Sequence, residues 1–292
     1  MKPARFSYEV PETVEEAVSL LGEHGYEAKL LAGGQSLIPL LSFRMARPAV
    51  LVDVNRVQGL DFVEWESDGV RIGALARHRV LETDPELTTR CPMAAEALAL
   101  VGHVAIRNRG TVAGSMAHAD PAAEWPLVAL VLGGVFTVVG PVGERQVPAS
   151  EFFRGFMTTV LEPDEMITEL RLDMPRNGSG SAFLEFARRH GDYAQAGAGS
   201  IVQLDGSGRV SDARVGLLGV GTTPIRASAV EEALVGVTPT ETDLVELSQL
   251  AGESMAPLDD VHADADYKRH LGTVMVRRTL ETALQRAREV AV

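Results

Sequence analysis

The stretch Leu30-Leu31-Ala32-Gly33-Gly34-Gln35-Ser36-Leu37 constrains the fold more than any other in this sequence. An apolar run, the tail of a strand, meets two consecutive glycines. A serine then precedes Leu37-Ile38-Pro39-Leu40-Leu41, which can open a helical turn. Glycine lacks a Cβ, so the backbone here can take positive φ and approach a ligand closely. Ser36 suits an N-cap, and Pro39 fits a first helical turn, where its missing N–H costs nothing. A glycine turn feeding unpaired amides is a ready phosphate site. Taken alone, the same residues also describe an ordinary strand-to-helix turn.

A second segment of this kind runs from Ile106 to Pro121. It has small residues at nearly every second place and almost no bulky side chain after Val112, with Ser115, His118 and Asp120 interspersed. A core strand or helix would waste burial on that composition, whereas close backbone approach to a ligand explains it. Two loops 78 positions apart, from Gly33 to Thr111, would suit one long anionic ligand carrying a pyrophosphate. Ser36, Thr111 and Ser115 would add hydroxyl donors. A Rossmann dinucleotide site is the competing reading, since Asp53 lies twenty residues after Gly33. Its glycine code fails: no third small residue stands at the required offset, and Pro39 interrupts the following helix.

The 292 residues allow two or three domains. A net charge of −13 argues against nucleic acid, which needs a basic field. One cysteine, Cys91, excludes an internal disulfide and any all-cysteine metal or iron–sulfur site on this chain. No two histidines and a carboxylate show metal-ligand spacing, so no metal is expected. No serine, histidine and acid suggest a hydrolase. The N-terminus lacks the apolar core of a signal peptide, and the longest apolar run, Trp125 to Gly140, is too short to span a bilayer. That run reads as a buried helix followed by a strand. A cytoplasmic protein without an integral membrane segment is expected.

In order, the pattern predicts a strand near 6–10 and a helix from Val14, with Thr13 and Glu16 as a capping box. Strands follow at 29–31 and 50–54, then a hairpin around Ser67-Asp68-Gly69, then helices over 77–101 divided by Pro85 and Pro92. Short strands occupy 144–176. Pro175 to Ser181 is the best linker and sets the expected boundary between residues 1–177 and 178–292. Beyond it come three strand-like runs, two of them joined through Asp205-Gly206-Ser207-Gly208, and three helices: an α+β order rather than βαβ.

AGGQSLIPL followed by RNRGTVAGSMAHADPAAEWP resembles the FAD-binding medium subunit of molybdenum hydroxylases, the family of carbon monoxide dehydrogenase and the flavin domain of xanthine dehydrogenase. ARRHGDYAQAGAG at 187–199 extends the resemblance to essentially the whole chain, with three motifs in the family's order. It implies a two-lobed α+β FAD fold of the vanillyl alcohol oxidase type (PCMH-type). A three-stranded antiparallel sheet with helices, like the CO dehydrogenase flavoprotein C-terminal domain, would follow. Ala32, Gly33, Gly34, Gln35, Ser36 and Leu37 match the loop that wraps the FAD pyrophosphate. Thr111, Val112, Ala113, Gly114 and Ser115 match a TIGGS-type loop on its other side. Glu124, or Asp120 in its place, stands where relatives have an acid near the adenosine or ribityl part. Leu161 falls in the family's Leu-x-Pro-x-Glu segment beside the isoalloxazine, and Tyr193 matches a residue against the flavin ring, where a tyrosine can stack.

The resemblance also implies non-covalent FAD on this chain, with molybdopterin and [2Fe–2S] clusters only on partners. Those partners are a large molybdopterin-binding subunit and a small iron–sulfur subunit, in a dimer of heterotrimers. FAD would receive electrons from the clusters and pass them to an external acceptor: quinone, NAD or oxygen. No side chain here is implied as a catalytic acid or base. Four departures stand out: Ala113 for the first glycine of a Gly-Gly pair, Ala76 for a threonine, Glu185 for a lysine near the flavin, and Gln35 for the histidine typical of carbon monoxide dehydrogenases. The last argues against carbon monoxide as substrate. A self-sufficient flavin oxidase or reductase of the same fold, or a flavin-free scaffold subunit, are the other classes.

Overall fold

A computed structural model describes residues 2–290. The first lobe holds β1 (Ser7–Glu9), α1 (Val14–His24), β2 (Ala28–Leu31), α2 (Leu37–Ser42) and β3 (Val50–Asp53). Its three strands form a parallel sheet in the order β1-β3-β2. α1 lies on that sheet through Ala17, Val18 and Leu21, one stripe at helical spacing. Half of the expected capping box forms: the Glu16 N–H donates to Thr13 Oγ1 at 3.2 Å. Glu16 Oε2, however, accepts from the N–H of Glu12 rather than of Thr13, so the reciprocal bond is displaced by one residue.

The second lobe is built on β4 (Val63–Trp65), β5 (Gly69–Gly73), β6 (Val135–Gly140), β7 (Gly143–Pro148) and β10 (Met166–Asp173). These form an antiparallel sheet in the order β4-β5-β10-β6-β7. In the central strand, Leu170 faces Ile72 on one side and Phe136 on the other, and all three are buried. Between β5 and β6 run α3 (His78–Glu82), α4 (Pro85–Arg90), α5 (Pro92–Leu100), α6 (Val104–Arg107), α7 (Val112–His118) and α8 (Glu124–Val131). Pro85 and Pro92 each start a helix, where the missing N–H is harmless. Cys91, at the start of α5, is buried, and burial pushes its thiol up to about 12. Every residue of α8 from Trp125 to Val131 is buried, so this helix has core on all sides. α9 (Ala149–Phe152) and the small pair β8 (Phe153–Gly155) and β9 (Thr158–Thr159) complete the lobe.

The rest of the chain comprises β11 (Ser179–Phe186), β12 (Ala196–Leu204), β13 (Val210–Leu218), β14 (Ile225–Arg226), α10 (Ser228–Leu234), α11 (Glu241–Gln249) and α12 (Ala265–Val290). The sheet has four strands rather than the three expected. The fourth is a two-residue strand on β13, too short to show an alternating pattern in sequence. β11 begins inside the segment read as a linker, because Gly180 is needed in the sheet. A Cβ there would lie 1.9 Å from the Ala283 carbonyl, so glycine lets α12 rest directly on the strand. Small residues continue through β12 (Ala196-Gly197-Ala198-Gly199-Ser200), buried on both faces. α12 covers one face, with Ser200 and Thr279 hydroxyls 2.7 Å apart. From the other side, Met93 of α5 sits against Gly199, and Leu127 of α8 against Gly216. The last sheet is therefore sandwiched between α12 and helices of the second lobe, joined also by Arg286 of α12 to Glu96 of α5 at 2.7 Å.

Candidate cofactor site

After Leu31 the chain turns sharply, and Gly34 takes φ +72°, the left-handed region. The Gln35 side-chain amide donates to the Gly33 carbonyl at 2.9 Å, which braces the turn. Ser36 precedes α2 without a side-chain cap bond, so its hydroxyl is free. Among the described residues, no acceptor takes a hydrogen bond from the backbone N–H groups of Gly33, Gly34, Gln35, Ser36 or Leu37. Consecutive unpaired amides form a concave anion-binding nest.

The second glycine segment is a helix start, not a loop. Thr111 caps α7, its Oγ1 accepting from the Gly114 N–H at 3.1 Å. A Cβ on Gly114 would lie 2.6 Å from that hydroxyl, so the cap requires glycine. The small residues are explained by a helix wedged between the cavity and the layer of α8 and β10. Ala113 is tolerated because helical φ accepts a Cβ, and its N–H has no acceptor among the described residues. Val112 departs from expectation: its side chain is fully buried in the core and its N–H donates to the Ala76 carbonyl at 3.2 Å. It therefore has neither group free for a ligand.

The two segments touch. A Cβ on Gly33 would lie 2.3 Å from the Arg109 carbonyl and 2.7 Å from Gly110 Cα. Both border one cavity of about 610 Å³, a size typical of ligand sites. Ala32 to Leu37, Thr111, Ala113, Gly114, Ser115, Asp120, Glu124, Leu161 and Tyr193 all line it; Val112 does not. Leu161 is held by a braced turn: its N–H donates to Thr159 Oγ1, and Arg145 bonds both Glu165, at 2.6 Å, and the Val160 carbonyl. Tyr193 reaches the cavity from the turn between β11 and β12 and is 68% exposed. That turn is seated on His103, the residue that precedes α6, since a Cβ on Gly191 would lie 2.4 Å from its ring. Lys29 and His78 also line the cavity, although neither stood out in the sequence.

The end nearest Tyr193 is acidic. Burial pushes the Glu124 carboxyl up to about 7, with the Asp120 charge adding to the effect. Burial, then the Glu124 charge, pushes Glu185 up to about 8, and its Oε2 has no hydrogen-bond partner among the described residues. Glu185 lies behind the wall rather than on it. Burial, then Asp120 and Glu124, also raises the Tyr193 phenol, keeping it neutral. His78 lies 6.1 Å from Trp125, ring to ring and nearly parallel; burial lowers it to about 4, aided by Arg107 and Arg77, so it is a neutral imidazole. Asp53, the residue a Rossmann site would use, is taken by the Tyr8 hydroxyl and the Asn55 N–H. Among the described residues, no group of three or more His, Cys, Asp or Glu is placed to hold a metal. No helix among them is long and apolar enough to cross a membrane.

The profile of the FAD binding domain in molybdopterin dehydrogenase matches residues 4–175, more than half of the chain. The chain belongs to this family. A second profile, the CO dehydrogenase flavoprotein C-terminal domain, matches residues 181–283. The 6-hydroxypseudooxynicotine dehydrogenase complex subunit alpha of Paenarthrobacter nicotinovorans is 45% identical over 99% of this chain and 97% of its own length. The carbon monoxide dehydrogenase medium chain of Hydrogenophaga pseudoflava is 37% identical over 98% of this chain and 99% of its own. A solved carbon monoxide dehydrogenase structure from that organism superposes with a TM-score of 0.95 at 39% identity, covering 98% of this chain and 99% of that one. Quinoline 2-oxidoreductase from Pseudomonas putida 86 gives 0.93 at 34%, over 98% and 99%. The chain is thus an FAD-binding medium subunit of the molybdenum hydroxylase type, an oxidoreductase component.

Proposed function

We propose that this chain holds FAD non-covalently in the cavity between its lobes and relays electrons from [2Fe–2S] clusters of a small partner subunit to an external acceptor. Substrate would be hydroxylated on a large molybdopterin-binding partner. The observation that carries the reading is the pair of backbone surfaces in contact and bordering one cavity: among the described residues, unpaired N–H groups from Gly33 to Leu37, and the first turn of α7, where the Ala113 N–H is left unpaired. Together they suit a diphosphate, with Ser36, Thr111 and Ser115 near it as hydroxyl groups. Ala32 to Ser36 contains neither histidine nor cysteine, which fits non-covalent attachment. FAD supplies the redox chemistry and can pass electrons singly or in pairs. The protein supplies placement. Leu161 and Tyr193 border the ring, Tyr193 covering one face, while Glu124 or Asp120 meets the ribityl or adenosine part. Lys29 brings positive charge to the cavity lining, whereas Glu185 behind the wall is pushed up to about 8 and held protonated near neutral pH.

The boundary of 1–177 and 178–292 is supported by the two profiles, which leave only 176–180 between them. Assembly into a dimer of heterotrimers and a cytoplasmic setting belong to the same proposal. Relatives are named for substrates as different as carbon monoxide, caffeine and nicotine. One medium-subunit plan serving such a range fits substrate choice residing on a partner. The test is to titrate the purified chain with FAD and then add candidate substrates. Stoichiometric flavin uptake with no bleaching until partners are added is expected. Rapid bleaching by substrate alone would instead show a self-sufficient flavin enzyme, and failure to take up FAD a scaffold.

A further inference from the structure

We infer that Arg77 and Asn55 act as a staple that holds the two amide surfaces at the spacing a diphosphate requires. Arg77 is thus a positioning residue for the cofactor, acting from outside the cavity. The inference rests on the cofactor reading above.

Arg77 lies between β5 and α3, and Asn55 in the single turn after β3. Neither lines the cavity. The backbone on either side of Arg77 pairs with the second segment: Val112 donates to the Ala76 carbonyl at 3.2 Å, and His78 to the Gly110 carbonyl at 3.0 Å. The guanidinium adds a bond from Nη1 to the Arg109 carbonyl. Its other nitrogen, Nη2, donates to Asn55 Oδ1 at 2.6 Å. Asn55 Nδ2 in turn donates to the Ala32 carbonyl at 2.9 Å, the residue that opens the first loop. A continuous chain of polar bonds therefore runs from the first loop through Asn55 and Arg77 to the second segment. It closes around the point where Gly33 meets Arg109 and Gly110.

The chemistry suits arginine. A planar guanidinium presents fixed, divergent donors, so one side chain can set the distance between two acceptors. Here both acceptors are uncharged, an amide oxygen and a backbone carbonyl, so the pair serves geometry rather than charge neutralisation. The groups whose fields reach Arg77 are Arg109 and Asp53, and burial together with Arg109 lowers its pKa. A lysine ammonium has a single charged nitrogen on a flexible stem and cannot span both acceptors in this arrangement.

The test measures binding of FAD, ADP and riboflavin to the full chain, with thermal melting of the apo form. Arg77→Met and Asn55→Ala should each weaken FAD and ADP at least tenfold, while riboflavin, which has no phosphate, changes less than twofold. Arg77→Lys should stay at least fivefold weakened. The double variant should lose no more than the worse single one, because both break the same chain. Unchanged FAD and ADP affinity in either folded variant would overturn the staple, as would full rescue by lysine, additive losses in the double variant or an equal loss for riboflavin. If Arg77→Met fails to fold, Asn55→Ala alone decides. A wild-type chain that binds neither FAD nor ADP would overturn the cofactor reading itself, which is a distinct result.

Discussion

The two amide surfaces do the same work by opposite means. The first is irregular backbone: one glycine with positive φ, a side-chain amide folded back on Gly33, and five N–H groups without partners among the described residues. The second is regular backbone, the opening turn of a helix whose threonine cap and neighbouring carbonyls take the other N–H groups and leave that of Ala113. The loop is exposed to any change at its glycines, since Gly33 meets the opposite backbone directly. The helix tolerates a Cβ at Ala113 because helical geometry aims that amide, glycine being required only at Gly114 under the cap. Glycine count is therefore a poor measure of which surface is more demanding.

The strongest way to break this comparison is Gly33→Val. The added carbons would force the surfaces apart, at a cost of roughly 1–3 kcal/mol from overpacking alone. FAD occupancy, read from flavin absorbance, should fall below detection in a chain whose circular dichroism is unchanged. Gly34→Val should weaken binding less, because it costs roughly 1–2 kcal/mol for a left-handed residue and meets only side-chain atoms of Ile38 and Leu31, not the opposite backbone. Full occupancy in both would show that the loop is not a cofactor surface.

The acidic end gives a pH signature. A carboxyl whose pKa rises on folding takes up a proton, so its contribution is complete below about pH 4.5. It is lost as pH rises through about 7 for Glu124 and about 8 for Glu185. Glu185→Gln should therefore melt higher than the wild-type apo chain at pH 8.5, by roughly 2–4 °C for each kcal/mol of charge burial removed. The difference should shrink toward pH 5. A difference independent of pH would mean that Glu185 is not held protonated.

Smaller effects test the helix surface. Thr111→Ala removes the cap and should cost about 1 kcal/mol in stability, with a several-fold loss of FAD affinity. Ala113→Gly should leave FAD affinity within about twofold while lowering stability by up to about 1 kcal/mol. A large gain in affinity would show that the Cβ of Ala113 does crowd the cofactor.

Much of this was legible in the sequence, for reasons that differ by element. The first turn announced itself because two glycines after an apolar run have few other uses. The buried helix and strand of Trp125 to Gly140 followed from an apolar run too short for a bilayer and broken by Gly133-Gly134. The hairpin at Asp205-Gly206-Ser207-Gly208 was visible from its turn residues. α7 was misread because a helix squeezed between a cavity and a core loses the bulky periodic residues that mark helices. Val112 was misassigned because which amide is paired, here to the Ala76 carbonyl, leaves no trace in residue types. Arg77 and Asn55 were missed because their partners lie far along the chain, and Lys29 because only the fold brings it to the cavity. β14 was missed because its two residues gain strand geometry only from β13.

The seating of Tyr193 carries a thermodynamic corollary. One wall of the cavity comes from the turn after β11, which rests on His103, while the amide surfaces belong to the first two lobes. A ligand gripped by all three must favour their association, and by reciprocity their association must favour the ligand, through one shared coupling free energy. Loading with cofactor and consolidation of the three-part body are then two readings of a single equilibrium. A partner subunit that touches only the outer surface could shift flavin affinity without approaching the flavin.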